Sequence, residues 1–406
     1  MASTRALLRR NREFRRLFLA SVVSLAGDWF SFVAVADLVT VSTGHPGAAA
    51  FVYAATVLPV FLASPIAGMV ADRYDRRRIL IIADLARVPV AVSLCLASAW
   101  NSVELAVAAI VLLGVGASFH DPIASAATPN LVDEPDLATA QSAMGAVWGS
   151  MLLVGAGVGG VVSELFGRQT AFLIDGISFL VSAWLVGGIR RPMQLARPES
   201  GDDRGRLRDV VRYARGDRVV GRLLFAKGGV SWSNGIVGLL PAFAHGKFAG
   251  APIATGLLFA ARGLGSLLGP LIAQRAAGAT PSPRAVVIVC GVSTLSYGLT
   301  YSVFPLVPWF WLAVVLVVIA HLGGGAQWAL STYGLQIATP DHMRGRVMSL
   351  DYGLATLAIG VSSIGAGLLA EAFDETTATW WLAGVAIAYG IGWTMWSWSA
   401  TRPVTR

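Results

Sequence analysis

Ionisable side chains within apolar segments are the first candidates for chemistry in this sequence. Asp28 and Asp37 lie in one such segment, and His120 and Asp121 lie in another. An ionisable group in the middle of a membrane helix costs about 2.5–3.5 kcal/mol, so each one is a candidate for function. Histidine titrates near neutral pH, so the His–Asp pair could carry a proton. A structural hydrogen bond for Asp28, and a capped helix end for His120 and Asp121, explain the same residues equally well.

Polar and aromatic residues also interrupt the apolar segments of the second half. Mixed rings and amides suit a large amphipathic ligand, because rings supply contact area and a few polar groups fix its orientation. His321 and Trp328 are seven residues apart and therefore share one helix face. The spacing of Asp84 and Arg87 predicts an ion pair within one helix. The binding candidates of this half are Lys227, Trp232, Asn234, Arg262, His321, Gln327 and Trp328.

Motifs for other chemistry are missing from the sequence. It contains no HExxH, no CxxC, no nucleophile elbow and no phosphate loop, and its two cysteines are isolated in apolar segments. We therefore expect no cofactor, no metal, no use of ATP and no enzymatic activity. A membrane-embedded enzyme that uses His120, Asp121 or His321 is the less favoured alternative. The net charge is +8, but the basic residues lie between apolar segments and not on one folded face. We therefore also expect no nucleic-acid partner.

The elements that position these residues must be membrane helices. Of 406 residues, 55% are hydrophobic and only 13% are charged, against about 25% charged in soluble proteins. In lipid a spanning segment must satisfy its own backbone hydrogen bonds, and it needs roughly 20 residues to cross. The pattern predicts an all-α polytopic protein with these twelve spans: Leu17–Val41, Ala48–Val70, Ile79–Ala99, Val103–Ala127, Ala138–Phe166, Thr170–Ile189, Leu223–Phe243, Pro252–Ala273, Ala285–Phe304, Trp309–Thr332, Val347–Phe373 and Trp380–Trp398.

The two carboxylates of the first span cannot face the same cavity. Nine residues separate Asp28 from Asp37, which is about half a turn around a straight helix. Asp28 shares a polar stripe with Ser21, Ser24 and Ser31. We expect Asp28 near mid-depth, facing a cavity or another helix, and Asp37 near the outer end.

Charge bias gives the topology and the domain division. Arginines cluster before the first span, after the second and in the hydrophilic stretch Arg190–Arg222. The positive-inside rule then places both termini in the cytoplasm. We expect the chain to be a multi-pass protein of the cell inner (plasma) membrane. The stretch separates an amino-terminal bundle, 1–190, from a carboxyl-terminal bundle, 222–406, with a basic linker at 191–221. Two six-helix repeats with a site between them are typical of transporters.

The loop after the second span carries the most specific motif. The residues from Gly68 to Arg78 read GMVADRYDRRR, which resembles the G-x-x-x-D-R-x-x-R-R signature of the major facilitator superfamily. Such a charge cluster can hold one conformation and release it in another. The resemblance implies a conformational latch, whereas topology alone would explain the arginines but not the glycine and the aspartate. The latch residues are Gly68, Asp72, Arg73, Arg76 and Arg77.

Further stretches resemble one branch of that superfamily, the exporters typified by macrolide efflux, enterobactin export and lysophospholipid transport. They are the residues 11–15, 24–29, 71–77, 84–87, 171–175 and 344–349. The chain departs from the exporter pattern at Gly155–Gly160, which lacks the usual proline, and in 275–284, which lacks the aspartate of the loop signature.

The resemblance implies two pseudo-symmetric six-helix bundles, with helices 1, 4, 7 and 10 around a central cavity. It implies a monomer in the lipid bilayer that exports a small amphipathic compound, such as a drug, siderophore or secondary metabolite, by proton antiport through alternating access. A lysophospholipid transporter or other lipid flippase of the same fold is the alternative.

Overall fold

The computed structural model describes residues 4–194, 207–248, 252–277 and 282–398; the side chains of Gly68, Asp72 and Asp121 are outside this description. In the amino-terminal half a short helix, Thr4–Arg10, precedes six long ones. Polar caps begin three of them, with the side chains of Asn11, Asp75 and Ser102 accepting backbone N–H groups. The six helices are α1 (Arg12–Thr43), α2 (Ala48–Arg73), α3 (Arg76–Trp100), α4 (Val103–Leu131), α5 (Leu137–Phe166) and α6 (Arg168–Gly187).

The carboxyl-terminal half repeats this arrangement. A connector helix, Leu207–Gly216, lies in the stretch predicted as a plain linker, and α7 follows as three consecutive pieces, Arg218–Leu224, Gly228–Ser233 and Gly235–His245. The remaining helices are α8 (Pro252–Ala277), α9 (Pro283–Val303), α10 (Phe310–Ala338), α11 (Asp341–Ala372) and α12 (Glu375–Trp398). Nine of these twelve helices are, in the part of the chain that the structure describes, long and apolar enough by themselves to cross a membrane. The predicted all-α fold of twelve spans in two six-helix bundles is confirmed.

The seventh span, predicted as Leu223–Phe243, is a helix broken at two places. Close neighbours explain the breaks: a Cβ on Gly228 would lie 2.1 Å from the hydroxyl of Tyr389, and one on Gly235 would lie 2.2 Å from the carbonyl of Ser362. Glycine permits these approaches. Ser362 supplies hydrogen bonds to two backbone groups at the second break: its hydroxyl donates to the carbonyl of Trp232 at 2.7 Å and accepts the N–H of Gly235 at 2.9 Å.

Exposed tryptophans mark two levels of the bundle. The arginine-rich end is the end at which α1 begins and at which Arg76, Arg77 and Arg190 lie; the opposite end is called the far end. Rings on both levels are exposed, as interfacial belts require. Trp393 near the end of α12 is instead buried and donates to the carbonyl of Arg222. The exposed rings are Trp100, Trp309, Trp311, Trp380 and Trp381 at the far end and Trp184, Trp396 and Trp398 at the arginine-rich end.

The two halves pack closely from the far end to about mid-depth, where a Cβ on Gly263 would lie 2.4 Å from the backbone nitrogen of Leu153, and they pack less closely nearer the arginine-rich end. Along α5 and α8, a Cβ on Gly160 would meet the carbonyl of Pro252 at 2.8 Å. One on Gly149 would meet Leu267 only at 3.7 Å, and one on Gly145 would meet nothing within 4 Å.

The pair α2 and α11 follows the same course. A Cβ on Gly47 would lie 2.4 Å from the carbonyl of Gly367 at the far end, whereas one on Gly353 would lie 3.4 Å from the ring of Phe61. Small residues therefore bring the backbones together at one end of the interface between the halves.

Candidate functional site

A buried arginine on α3 organises the polar residues of the amino-terminal half. Arg87 is 2% exposed. Its Nη2 donates to the carboxylate of Asp28 on α1, and its Nη1 donates to the hydroxyl of Ser24 at 3.2 Å. The predicted pair with Asp84 also exists, at 3.8 Å, but the direct hydrogen bond goes to Asp28. Asp28 is therefore an interhelical residue, and its side chain keeps 24% of its surface exposed.

Asp175 on α6 is the third carboxylate of this cluster. It is fully buried and accepts the hydroxyl of Ser31 on α1 at 2.5 Å. A Cβ on Gly27 would lie 2.5 Å from its Oδ1, so glycine allows α1 and α6 to approach at this level. The ring of Phe179, one turn further along α6, lies under the guanidinium of Arg87 at 3.9 Å, a cation–π contact.

His120 on α4 completes the set. Its Nε2 lies 4.0 Å from Oδ2 of Asp84, and both side chains are buried. The sequence paired His120 with its neighbour Asp121, whose side chain is outside the described residues. We call Asp28, Asp84, Arg87, His120 and Asp175 the carboxyl cluster. It sets one permanent cation against three carboxyl groups, and of these three only that of Asp28 has appreciable exposed surface.

The carboxyl-terminal half contains a simpler buried pair. Lys227, at the first break of α7, donates to Asp351 of α11 at 2.5 Å, and both side chains are 3% exposed. The ammonium also lies 5.2 Å from the ring centroid of Trp328 on α10. Gln327 bridges the same region, because its amide donates to the carbonyl of Ala226 at 2.6 Å. Lys227, Gln327 and Trp328 are therefore brought together, as their positions on α7 and α10 suggested.

A second buried arginine lies where the two halves meet. Arg262 of α8 is 5% exposed and donates from Nη2 to the hydroxyl of Tyr53 on α2 at 2.9 Å. Tyr53 donates in turn to the amide oxygen of Asn234 at 3.1 Å. The rings of Tyr53 and Trp148 each lie 5.4 Å from the guanidinium carbon. Nε and Nη1 of Arg262 have no hydrogen-bond partner among the described residues.

Aromatic rings from both halves surround this arginine. Trp29 and Phe32 of α1 pack on Phe259 of α8, with centroids 6.0 and 5.0 Å apart. Trp148 of α5 stands 6.3 Å from Trp29 and is 43% exposed. We call Trp29, Phe32, Tyr53, Trp148 and Phe259 the aromatic layer. A flat apolar group could stack on its exposed member.

Two further candidate residues, His321 and Trp232, lie away from the carboxyl cluster. His321 of α10 is buried and shares a hydrogen bond of 3.0 Å with Tyr301 of α9, so it belongs to the interior of the carboxyl-terminal half. Trp232 of α7 is 43% exposed. Neither contacts the carboxyl cluster.

Asp37 belongs to the closure of the far end. It accepts a hydrogen bond from Nε of Arg168 at the start of α6 and shares a 2.6 Å contact with Nε2 of His245 at the end of α7. Because His245 belongs to the other half, this contact joins the two halves. The three residues line a cleft of about 610 Å³ at the far end. Asp37 and Asp28 are thus in different places, as the helix geometry predicted.

The described latch residues contact their own half. Arg76 donates to the carbonyls of Ala126 and Met193 at 2.8 and 3.3 Å, and Arg77 donates to that of Ile189 at 2.6 Å. Arg73 is exposed and lies 5.8 Å from the ring of Tyr74. The latch, with Gly68 and Asp72, stays a prediction.

Sequence reasoning missed several residues of these sites. It did not single out Asp351, although a lone aspartate in an apolar helix is the same signal that identified Asp28. Asp175 carried that signal too, and it was used only as part of a family resemblance. Tyr53 and Trp148 had no such signal, because aromatic residues are common throughout these helices.

Comparison with known proteins agrees with this architecture. Residues 2–400 match the model of a family described as transmembrane secretion effector. The multidrug efflux pump Tap of Mycobacterium tuberculosis is 27% identical over 378 residues, 88% of this chain and 86% of that protein. Macrolide efflux protein A of Streptococcus pyogenes is 22% identical over 372 residues, 88% of this chain and 89% of that protein.

Solved structures give the same fold. A POT family transporter in complex with a thioalcohol-conjugated peptide superposes with a TM-score of 0.75 at 13% identity, covering 96% of this chain and 97% of that one. A bacterial homologue of the human lysosomal transporter Spinster superposes with a TM-score of 0.71 at 17% identity, covering 97% and 98%.

Proposed function

The chain belongs to the family of transmembrane secretion effectors, transporters of the major facilitator superfamily, and from that premise we propose proton-driven export of a small amphipathic compound. A drug, siderophore or secondary metabolite fits this description. The observation that carries the proposal is the carboxyl cluster, which places three carboxyl groups, one histidine and one arginine within one half of a two-half transporter. Both halves belong to one chain, so we propose that the monomer is the working unit.

The arrangement of the halves supports export from the cytoplasm. If the arginine-rich end faces the cytoplasm of a cell whose plasma membrane holds the protein, the side on which the halves diverge is the cytoplasmic side. The far end is closed by the glycine contacts and by the contact between Asp37 and His245. This is a loading state, in which a compound enters from inside. Rocking of the halves would release it outside.

Charge balance supports a role for protons. Three carboxyl groups face one guanidinium, so with every carboxyl ionised and His120 neutral the cluster would hold two uncompensated negative charges in a buried place. Removing such charges from water is costly. Binding protons removes the imbalance, and a change in the distances to Arg87 would release them. A charge that moves through 100 mV supplies about 2.3 kcal/mol, enough for accumulation of tens-fold.

Asp28 is the residue through which protons would enter, because its carboxylate contacts Arg87 and is the most exposed of the three carboxyl groups. Asp28→Asn keeps the size and an oxygen acceptor but removes the site of proton binding. We expect uphill export to fall at least about tenfold, while substrate binding stays measurable. The assay uses proteoliposomes with an imposed pH gradient and a panel of amphipathic probes that includes a macrolide and a lysophospholipid.

Asp133→Asn is the matched control, because Asp133 is a carboxylate with 78% of its side chain exposed in a loop. It should leave export unchanged. If Asp28→Asn folds normally and still drives uphill export with an unchanged pH profile, Asp28 is not the coupling residue. Translocation of the lysophospholipid alone would replace the drug-export proposal with lipid transport.

A further inference from the structure

Arg262 differs from the other buried basic residues of the described chain. Arg87 has Asp28 and Asp84, and Lys227 has Asp351. Arg262 is 5% exposed, yet no carboxylate of the described residues lies within ion-pair distance of it. A buried charge without a partner is strongly unfavourable, so it calls for a compensating group.

The hydrogen-bond donors of Arg262 are largely unused. A guanidinium has five N–H donors, and among the described residues the one hydrogen bond of Arg262 is from Nη2 to the hydroxyl of Tyr53. Nε and Nη1 are buried with no acceptor among the described residues. The flanking rings of Tyr53 and Trp148 attract the cation but accept no strong hydrogen bond. The missing group is therefore an acceptor that carries negative charge.

The position of Arg262 points to a transported compound as that acceptor. Ten residues separate Arg262 from the start of α8 at the far end, which is roughly 15 Å along the helix and close to mid-depth. It bridges the halves through Tyr53, in the region where a substrate site of such a transporter is expected. Trp148, whose ring lies against the guanidinium, is 43% exposed and offers a stacking surface beside the charge.

We infer that the central site takes an amphipathic carboxylate, with its carboxylate on Arg262 and its ring or apolar body on the aromatic layer. The planar fork of arginine matches a carboxylate, and charge-assisted hydrogen bonds are about twice as strong as neutral ones. The carboxylate would also compete with Tyr53 for the guanidinium. Because that contact joins the halves, binding would loosen the closed far end.

The inference rests on the proposed function for the biological role of the site, but it is tested by binding alone, without a transport assay. The purified full chain is titrated calorimetrically at pH 7 with 1-naphthaleneacetate and with 1-naphthaleneacetamide, which have the same ring and differ in charge. A carboxylic acid is ionised at this pH. We expect the acid to bind at least about tenfold more tightly than the amide, as a charge-assisted contact implies.

Variants assign that preference to one residue. Arg262→Gln should abolish it, Arg262→Lys should keep part of it, and Arg275→Gln should leave it intact because Arg275 is exposed on the same helix. Equal affinity of acid and amide for the wild-type chain, whether both are tight or both immeasurable, would overturn the inference. So would a preference that survives Arg262→Gln. Export of a neutral probe without any acid preference would refute this inference alone, and acid preference without uphill export would refute proton-driven export alone.

Discussion

At the residue scale, buried charges in this protein are joined across helices that are distant in the sequence. Arg87 and Asp28 are 59 residues apart, and Lys227 and Asp351 are 124 residues apart. Such pairs do not add much net stability over apolar residues, but breaking one leaves a charge buried alone. They therefore specify which helices pack together. Arg262 is the exception, because Nε and Nη1 have no acceptor among the described residues.

The Lys227–Asp351 pair gives the prediction at this scale. Lys227→Met or Asp351→Asn alone should destabilise the protein by about 3–5 kcal/mol, because each leaves the other partner uncompensated in a place that is 3% exposed. The double variant Lys227→Met/Asp351→Leu should recover much of that loss. Thermal unfolding of the purified variants measures the order of their stabilities.

The exposed pair Arg191–Asp133 is the control for that measurement. Its partners are 3.4 Å apart with side chains 43% and 78% exposed, so breaking it should cost no more than about 1 kcal/mol. A double variant no more stable than the worse single variant would show that the Lys–Asp contact is not the source of the loss.

At the element scale, glycines determine how closely helices of the two halves approach. On α8, a Cβ on Gly256 would lie 2.5 Å from the carbonyl of Ala156 and 2.8 Å from the Cα of Gly160. There is no space for a side chain while α5 and α8 are in this contact. These glycines thus favour the state with a closed far end, in the same way that Gly228 and Gly235 allow α7 to break.

Gly256→Val should open the far end. Valine forces α5 away from α8, so the residues between them should become accessible from that side. We expect Ser163→Cys, placed at a site that is 4% exposed, to react about tenfold faster with an impermeant maleimide, which corresponds to about 1.4 kcal/mol in the conformational equilibrium. The labelling is done in a variant in which Cys95→Ser and Cys290→Ser remove the two native cysteines.

Gly145→Ala is the matched control on α5, because a Cβ there meets nothing within 4 Å. It should leave the labelling rate as it is. If Gly256→Val does not accelerate labelling, the glycine contact does not hold the far end closed.

At the scale of the whole molecule, the two halves meet at one end and part toward the other. The closed end has small residues and the contact of Asp37 with His245, whereas the open end carries the arginines. The carboxyl cluster lies within one half, and Arg262 with the aromatic layer lies between the halves. In the proposed transport a compound at Arg262 and a proton at Asp28 would occupy separate places, so the change of conformation between the halves would have to couple them.

Topology is the prediction at this scale. The charge bias places the termini and the stretch Arg190–Arg222 in the cytoplasm and the loop between α7 and α8 outside. Ser200→Cys and Gly250→Cys, which both lie outside the described residues, should react with an impermeant reagent from opposite sides of the membrane. His45→Cys, at an exposed far-end position, should react from the same side as Gly250→Cys. Labelling of Ser200→Cys and Gly250→Cys from one side would contradict the twelve-span topology.

The sequence alone determined the helices, their number and the two halves. Hydropathy is a local property, and lipid leaves an apolar segment no alternative to a helix. Helical periodicity likewise sufficed to separate Asp28 from Asp37. The loop motif and further stretches were enough for the superfamily and its exporter branch.

Only the tertiary structure decided the partners. Arg87 donates directly to Asp28 and not to Asp84, and Lys227 pairs with Asp351, which the sequence did not single out. Arg262 has Tyr53 as its one hydrogen-bond partner among the described residues. The tertiary structure also broke α7, because the approach of α11 and α12 to its glycines is set by packing. Contacts of this kind join residues far apart in the chain, and their choice depends on how closely whole helices can approach, which no local pattern records.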